Sequence, residues 1–180
     1  MQDIDIKNKN KWIFKKKFDT KKKIISIFTS IKDYLGIVDI LNKCDLSNFY
    51  LILKPHPYYK AATLEHFKNN FKHEYHSTKK LSPRELIKAS DFVLAGDSSL
   101  CYESLILGKI NTLRLYSEKY HPLFDAEDEV VTVKDSKLLE NYLHGKRKII
   151  KVNVKKLIKE FFYKYNKLAH IRLKKLLKDL

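Results

Sequence analysis

The sequence is poor in the residues that mark several classes of protein. Its 180 residues include 4 Gly, 4 Pro and 2 Cys. So few Gly and Pro exclude a collagen-like or linker-like chain, and two Cys exclude a disulfide scaffold and a CxxC-type zinc module. No run of about 18 apolar residues is present, so no membrane-spanning helix is predicted. The polar N-terminus lacks the apolar core of a secretory signal, which favours a cytoplasmic location.

Positive charge, in contrast, is abundant and unevenly distributed. The chain has 37 Lys and Arg against 21 Asp and Glu, a net charge of +16. Residues 1–23 hold 9 Lys against 3 Asp, and residues 146–180 hold 13 basic against 2 acidic side chains. Residues 24–145 are nearly neutral, with 15 basic and 16 acidic side chains. We therefore predict a basic arm over 1–23, a folded lobe over 24–145 and a basic amphipathic helical segment over 146–180.

Short apolar runs alternate with helical patterns along the central part. The pattern predicts strands over 23–28, 49–53, 74–76, 92–95, 110–115 and 130–133, and helices over 34–42, 61–71, 83–90, 100–107 and 135–143. A further helix, or two in succession, is predicted over 153–180. Ser82, Pro83 and Glu85 have the spacing of a capping box at a helix start. Apolar strands separated by helices predict an α/β fold, a Rossmann-like parallel sheet with helices on both faces.

The end of the second predicted strand carries a candidate site. Lys54 and His56 follow the apolar run, and Pro55 and Pro57 stiffen the backbone on either side of the imidazole. In an open parallel sheet, ligands bind outside the carboxyl ends of the strands. A rigid His beside a Lys suits an anionic ligand, either as a hydrogen-bond donor or as a general acid. A loop histidine that only ends the strand is the alternative.

The end of the fourth predicted strand carries a second candidate site. Gly96, Ser98 and Ser99 lie between the strand and the following helix, where free backbone N–H groups and hydroxyls can bind an anion. Glu103 follows on that helix, where it could face a ribose. The segment lacks both GxGxxG and GK[ST], so the usual nicotinamide and ATPase loops are excluded. The alternatives are helix capping for the serines, or for Asp97, and a solvated surface position for the glutamate.

Together the two segments resemble a known family. His56-Pro57, followed by Asp91, Ser98-Ser99, Glu103 and Gly108-Lys109, is similar to the donor-binding, C-terminal lobe of GT-B-fold glycosyltransferases of bacterial surface polysaccharides. Capsule, sialic acid and Kdo transferases with HP and SS motifs share the pattern, as do the CDP-glycerol glycerophosphotransferases of teichoic acid synthesis. The likeness covers residues 24–143. Ile110-Asn111-Thr112 stands where relatives tend to have a proline.

The resemblance implies a donor and a role for each residue. The donor would be a CMP- or CDP-linked sugar or polyol, bound without a metal or other cofactor. His56 would contact the donor phosphate and assist departure of the nucleotide, as the catalytic residue. Lys54, Gly96 and the two serines would complete the donor phosphate site, and Glu103 would hold the ribose hydroxyls.

The resemblance also implies partners. A GT-B enzyme has two lobes, and only 22 residues precede the first predicted strand here, so a fragment or an acceptor lobe supplied by a partner subunit is expected. Residues 146–180 would pack on the sheet or a missing lobe, or contact the inner face of the cell membrane. A nucleic-acid-binding module and a non-catalytic partner subunit remain alternatives, although no RNP, zinc-finger or helix-turn-helix pattern is present.

Other residues are weaker candidates. His66, His73 and His76 would need to converge to bind zinc, and a solvated surface is the simpler interpretation. Cys44 and Cys101 are predicted to be small core residues. An acidic loop includes 125–129, for which a solvated charge run is the simpler interpretation. The resemblance implies that the backbone of this loop could contact the nucleobase of the donor. The tyrosines at 116 and 120 and His121 are candidates to line the cleft.

Overall fold

The computed structural model describes residues 21–29, 34–58, 61–78, 81–96, 98–109, 111–116 and 130–149. Predictions for residues 1–20, Asp97, the acidic loop, Tyr120, His121 and the helix over 153–180 therefore lie outside the described residues. The strands in chain order are β1 (Lys23–Phe28), β2 (Phe49–Lys54), β3 (His76–Ser77), β4 (Phe92–Ala95), β5 (Thr112–Leu115) and β6 (Val131–Val133). The helices are α1 (Tyr34–Leu41), α2 (Ala61–Asn70), α3 (Pro83–Ala89), α4 (Leu100–Ile106) and α5 (Ser136–Leu143).

The six strands form one parallel sheet in the order β3-β2-β1-β4-β5-β6. β1 lies near the centre and pairs with β2 over its full length, from Lys23 opposite Phe49 to Phe28 opposite Lys54. On its other side, Phe28 pairs with Ala95 of β4. This order is that of the Rossmann fold, so the predicted fold class is confirmed.

Helices cover both faces of the sheet. On one face, α1, α2 and α5 pack through Ile37, Leu41, Phe67, Leu139 and neighbouring residues against the strands. On the other face, α3 and α4 pack through residues that include Leu86, Ile87, Cys101, Tyr102 and Leu105. β1 contributes Ile25 and Ile27 to the first cluster and Ile24 and Phe28 to the second. Burial on both sides explains why this strand is apolar without polar alternation.

Local signals in the sequence fix several helix ends. The Ser82 hydroxyl accepts a hydrogen bond from the Glu85 N–H, and the Glu85 carboxylate accepts from the Ser82 N–H at 2.7 Å, which is the predicted capping box. Asp135 caps α5 in the same way by accepting from Leu138 N at 2.8 Å. Gly108 and Gly145 follow α4 and α5 with φ of 79° and 73°, a left-handed conformation that favours glycine.

The structure differs from the sequence prediction mainly at the sheet edge. β3 has two residues, His76 and Ser77, whereas a strand over 74–76 is predicted. Among the described strands it pairs with β2 alone, at Ile52 and Leu53, because β3 lies at the edge of the sheet. β2 extends to Lys54, one residue further than predicted, because Lys54 pairs with the end of β1.

Candidate functional site

The two candidate segments lie at the same edge of the sheet, on either side of β1. Phe28, at the end of β1, is opposite both Lys54 and Ala95, the last residues of β2 and β4. With neighbouring strands about 4.8 Å apart, the two segments begin roughly 10 Å from each other. The chain runs outward from β1 to β3 and then crosses to β4, so the strand order reverses between β1 and β4. That reversal is where Rossmann-like sheets leave a crevice for a ligand.

The His56 ring is half-buried and its tautomer is defined by a local contact. Its Nδ1 accepts a hydrogen bond from the Tyr58 N–H at 3.3 Å. A backbone amide can only donate, so Nδ1 keeps its lone pair and the proton of the neutral ring lies on Nε2. The Tyr58 ring lies 5.3 Å from the imidazole and supports it from one side. His56 therefore offers one N–H donor to a ligand at the carboxyl edge.

Lys54 lies at the end of β2 with its side chain half-buried. Burial disfavours the ammonium and lowers the pKa of Lys54 below its usual range, while the charge of Glu85 acts in the opposite direction. The parity of the strand directs Lys54 to the face of the sheet that α3 and α4 cover, together with Ile52. A desolvated cation interacts strongly with an anion that enters the same site.

The second segment begins with a buried glycine and leads into α4. Gly96 N donates to the Phe28 carbonyl at 3.2 Å, which ties this loop to the end of β1. The Ser98 hydroxyl accepts from Leu100 N at 3.3 Å. Ser99 is exposed, makes no side-chain cap, and donates from its hydroxyl to Glu103 Oε1 at 3.5 Å. Ser99 and Glu103 thus form an exposed polar pair on the first turns of α4.

The remaining residues of the second motif lie away from this edge and stabilise the fold. Asp91 accepts from Ile24 N at 2.9 Å through Oδ2, and its own N–H donates to the Ile24 carbonyl at 2.8 Å. Lys109 donates from Nζ to the Ser90 carbonyl at 2.7 Å. These contacts join the amino ends of β1 and β4 to the segment that leaves α4. Asp91 and Lys109 of the motif therefore stabilise the fold, whereas Ser98 and Ser99 lie at the carboxyl edge of the sheet.

The fold is similar to part of a known polymerase. A structure of the wall teichoic acid polymerase TagF, a His-to-Asn variant soaked with CDPG, superimposes with a TM-score of 0.56 over 96% of this chain, at 16% sequence identity. The chain spans 46% of the length of TagF. Neither the family models nor the curated proteins contain a match. The likeness shows the fold alone, a Rossmann-like parallel sheet with helices on both faces.

Sequence reasoning missed three polar or aromatic residues near the site. Thr29 follows β1 directly and is 4% exposed. Tyr58 is 79% exposed beside His56, and its place right after the His-Pro pair was the available signal. Arg114 is 2% exposed on β5, opposite Ala95, and donates from Nε to Thr132 Oγ1 at 3.1 Å. A lone arginine within an apolar strand was the signal for this buried cation.

The weaker candidates are engaged in separate contacts. His66 contacts Tyr34 through its ring, His73 hydrogen-bonds the Leu41 carbonyl at 2.8 Å, and His76 stacks on Tyr50 at 4.6 Å. Within the described ranges, no three His, Cys, Asp or Glu side chains are grouped closely enough to hold a metal ion.

Both cysteines are buried thiols in the core, as predicted. Burial, with smaller effects from Glu140 and Asp135, raises the pKa of Cys44 to about 12, so this residue stays a thiol. Tyr116 is half-buried just past β5, and Lys134 lies 5.4 Å from the centre of its ring.

A cavity of about 360 Å³ opens at the opposite, amino edge of the sheet. Its lining includes Lys22, Tyr50, His73, Glu74 and His76. Because it lies at the amino ends of β1 and β2, it is separated from the carboxyl-edge residues by the length of a strand. We call it the amino-edge cavity. For a small ligand of this lobe, the amino-edge cavity is the alternative binding place to the carboxyl edge.

Proposed function

We propose that this lobe binds a cytidine nucleotide-activated donor and belongs to a glycosyltransferase or glycerophosphotransferase of bacterial surface polysaccharide synthesis. One observation carries the proposal: the pairing of Phe28 with Lys54 and Ala95 brings the two predicted donor-binding segments together at the reversal of strand order. Similarity of the fold to TagF, whose structure was soaked with CDPG, supports a CDP-linked donor over a CMP-linked one.

The proposed roles follow from the chemistry of each group. When the donor reacts, the bond between the transferred group and the nucleotide breaks, and its electron pair stays on a phosphate oxygen of the leaving nucleotide. The Nε2–H of His56 stabilises or protonates that oxygen, and the Lys54 ammonium offsets its charge. The hydroxyls of Ser98 and Ser99 donate to phosphate oxygens, and Gly96 allows close approach. Glu103 accepts hydrogen bonds from the ribose hydroxyls.

None of the roles proposed above for the described residues concerns the acceptor. TagF is more than twice as long as the matched region, so we propose that a second lobe or a partner subunit supplies the acceptor site and its base. No helix among the described residues has the length and apolarity needed to span a bilayer. We further propose that the basic segment 146–180 holds the lobe at an anionic membrane surface, where lipid-linked acceptors are found.

The test is a calorimetric titration of CDP and CMP into the full chain and into His56→Ala. We expect the wild type to bind CDP, and the variant to bind it roughly tenfold more weakly because a hydrogen bond to a charged group is lost. His144→Ala is the matched control, since this exposed histidine ends α5 near Phe49, at the amino edge. If neither CDP nor CMP binds to the wild type at millimolar concentration, the proposal is refuted.

A further inference from the structure

The end of β1 contains a buried polar atom without a partner. Thr29 is 4% exposed, and its Oγ1 makes no hydrogen bond within the part of the chain that the structure describes. Burying a hydroxyl without a hydrogen bond is unfavourable, and most buried polar side-chain atoms in proteins are paired. The buried serine hydroxyls of this lobe follow that rule. Ser26 and Ser90 bond each other at 2.6 Å, and Ser104 bonds the Leu100 carbonyl at 2.6 Å.

The position of this hydroxyl is as informative as its lack of a partner. Thr29 is the first residue after β1, and its neighbours on the two flanking strands are the segments that begin at Lys54 and Ala95. Gly96 N already donates to the Phe28 carbonyl, so the backbone of the second segment lies against this point. Thr29 is therefore placed between the two halves of the proposed donor site, at the reversal of strand order.

We infer that the Thr29 hydroxyl is a ligand-binding group that donates to a phosphate oxygen of the nucleotide, and that the bound ligand supplies its missing partner. This inference rests on the proposed function and adds to it a residue directly after β1. A phosphate is favoured over a ribose or base because both flanking segments offer donors or positive charge. Oγ1 is enclosed without ligand, so the contact forms as the carboxyl edge adjusts on binding.

A ligand-binding role and a purely structural one predict different results for Thr29→Val. Valine has nearly the same shape and lacks the hydroxyl. In the free protein, removal of an unpartnered buried hydroxyl relieves a desolvation cost, so we expect Thr29→Val to melt at the same temperature as the wild type or higher. If the hydroxyl binds phosphate, the same variant binds CDP roughly tenfold more weakly. Unchanged or raised stability together with lost affinity is a signature that a packing role does not produce.

The experiment measures melting temperature and CDP affinity for the wild type, Thr29→Val and Thr29→Ser. Thr29→Ser keeps the hydroxyl and loses only a methyl group, so we expect its CDP dissociation constant to stay within about threefold of the wild type. Inorganic pyrophosphate serves as a second probe, and the same loss for Thr29→Val is expected with it because it lacks base and ribose. A loss with CDP alone would overturn the assignment to phosphate.

The outcomes separate this inference from the proposed function. If the wild type binds CDP and Thr29→Val binds it equally well, the inference is wrong and the proposed function stands. If Thr29→Ser loses as much affinity as Thr29→Val, the methyl group matters and the inference is again wrong. If Thr29→Val does not fold, Thr29→Ala is compared with Thr29→Ser, because the two differ only by the hydroxyl. Tenfold weaker CDP binding by Thr29→Ala upholds the inference, and equal binding refutes it. If the wild type binds neither probe, the proposed function fails, and the inference with it.

Discussion

At the scale of single residues, the candidate site depends on local geometry that sequence motifs do not contain. Sequence alone could single out His56 and Lys54. Both follow an apolar strand, and His56 also stands between two prolines. The tautomer of His56, by contrast, depends on a hydrogen bond from the backbone two residues later. The sequence could not indicate Thr29, because a buried hydroxyl without a hydrogen-bond partner can be recognised only when its surroundings are known.

Lys54 gives a pH-dependent prediction at this scale. Burial lowers the pKa of Lys54, so its ammonium loses its proton at a lower pH than an ordinary lysine. Only the charged form attracts a phosphate, and we therefore expect CDP affinity to fall as pH rises. The fall should begin below the pH at which an ordinary lysine loses its proton. Lys54→Met should bind CDP several-fold more weakly near neutral pH and lose this alkaline dependence. Calorimetric titrations from neutral to alkaline pH would check it.

An alkaline fall in affinity that persists in Lys54→Met would assign the titration to another group. Lys88→Met is a suitable control, because this half-buried lysine lies in the last turn of α3 rather than at a strand end. The stability of Lys54→Met should not decrease. The pKa of the amine is lower folded than unfolded, so below it the charged form opposes folding.

At the scale of elements, the sequence predicted most helices and strands because their end signals are local. The capping box at Ser82 lies where the spacing predicts it, and Asp135 and the glycines after α4 and α5 lie at the ends of helices that the pattern predicts. The two-residue β3 could not be located from its own sequence, because its pairing with Ile52 and Leu53 defines it. Sequence spacing also could not divide the second motif, whose Asp91 and Lys109 stabilise the fold while Ser98 and Ser99 lie at the opposite edge.

Asp91→Ala tests that division. The substitution leaves Ile24 N without its acceptor at the amino end of β1, so we expect the free energy of unfolding to fall by about 1–3 kcal/mol. CDP affinity of the folded variant should stay within about twofold of the wild type. Urea denaturation and calorimetry measure the two effects. Asp39→Ala, at an exposed position on α1, is the control and should change stability by less than about 0.5 kcal/mol. Lost affinity with unchanged stability would instead make Asp91 a ligand-binding residue.

At the scale of the whole molecule, the charge of +16 describes the two ends of the chain and not the lobe. The described residues hold a nearly neutral Rossmann-like sheet whose candidate site uses a few placed groups. A nucleic-acid-binding protein releases many counterions on binding and is therefore steeply sensitive to salt. A mononucleotide has no such condensed counterion layer, so salt weakens its binding only by screening.

The salt dependence of CDP binding follows from this difference. We expect the CDP dissociation constant of the full chain to rise less than about tenfold between 50 and 200 mM salt, whereas a protein that contacts 6–10 phosphates of a nucleic acid loses about 10³–10⁵ in affinity over that range. A single-stranded oligonucleotide, titrated under the same conditions, is the comparison. Tight oligonucleotide binding that CDP displaces would contradict the proposal, because it would place nucleic acid in the same site.

The location of bound CDP tests the central claim most directly. Hydrogen–deuterium exchange of the full chain, followed by mass spectrometry with and without saturating CDP, reports which backbone amides become protected. We predict protection at residues 54–58 and 98–103, on the two segments that flank the end of β1, and none in peptides from the amino-edge cavity. Protection confined to the amino-edge cavity around His73 and His76, or absent from both carboxyl-edge segments, would contradict the account.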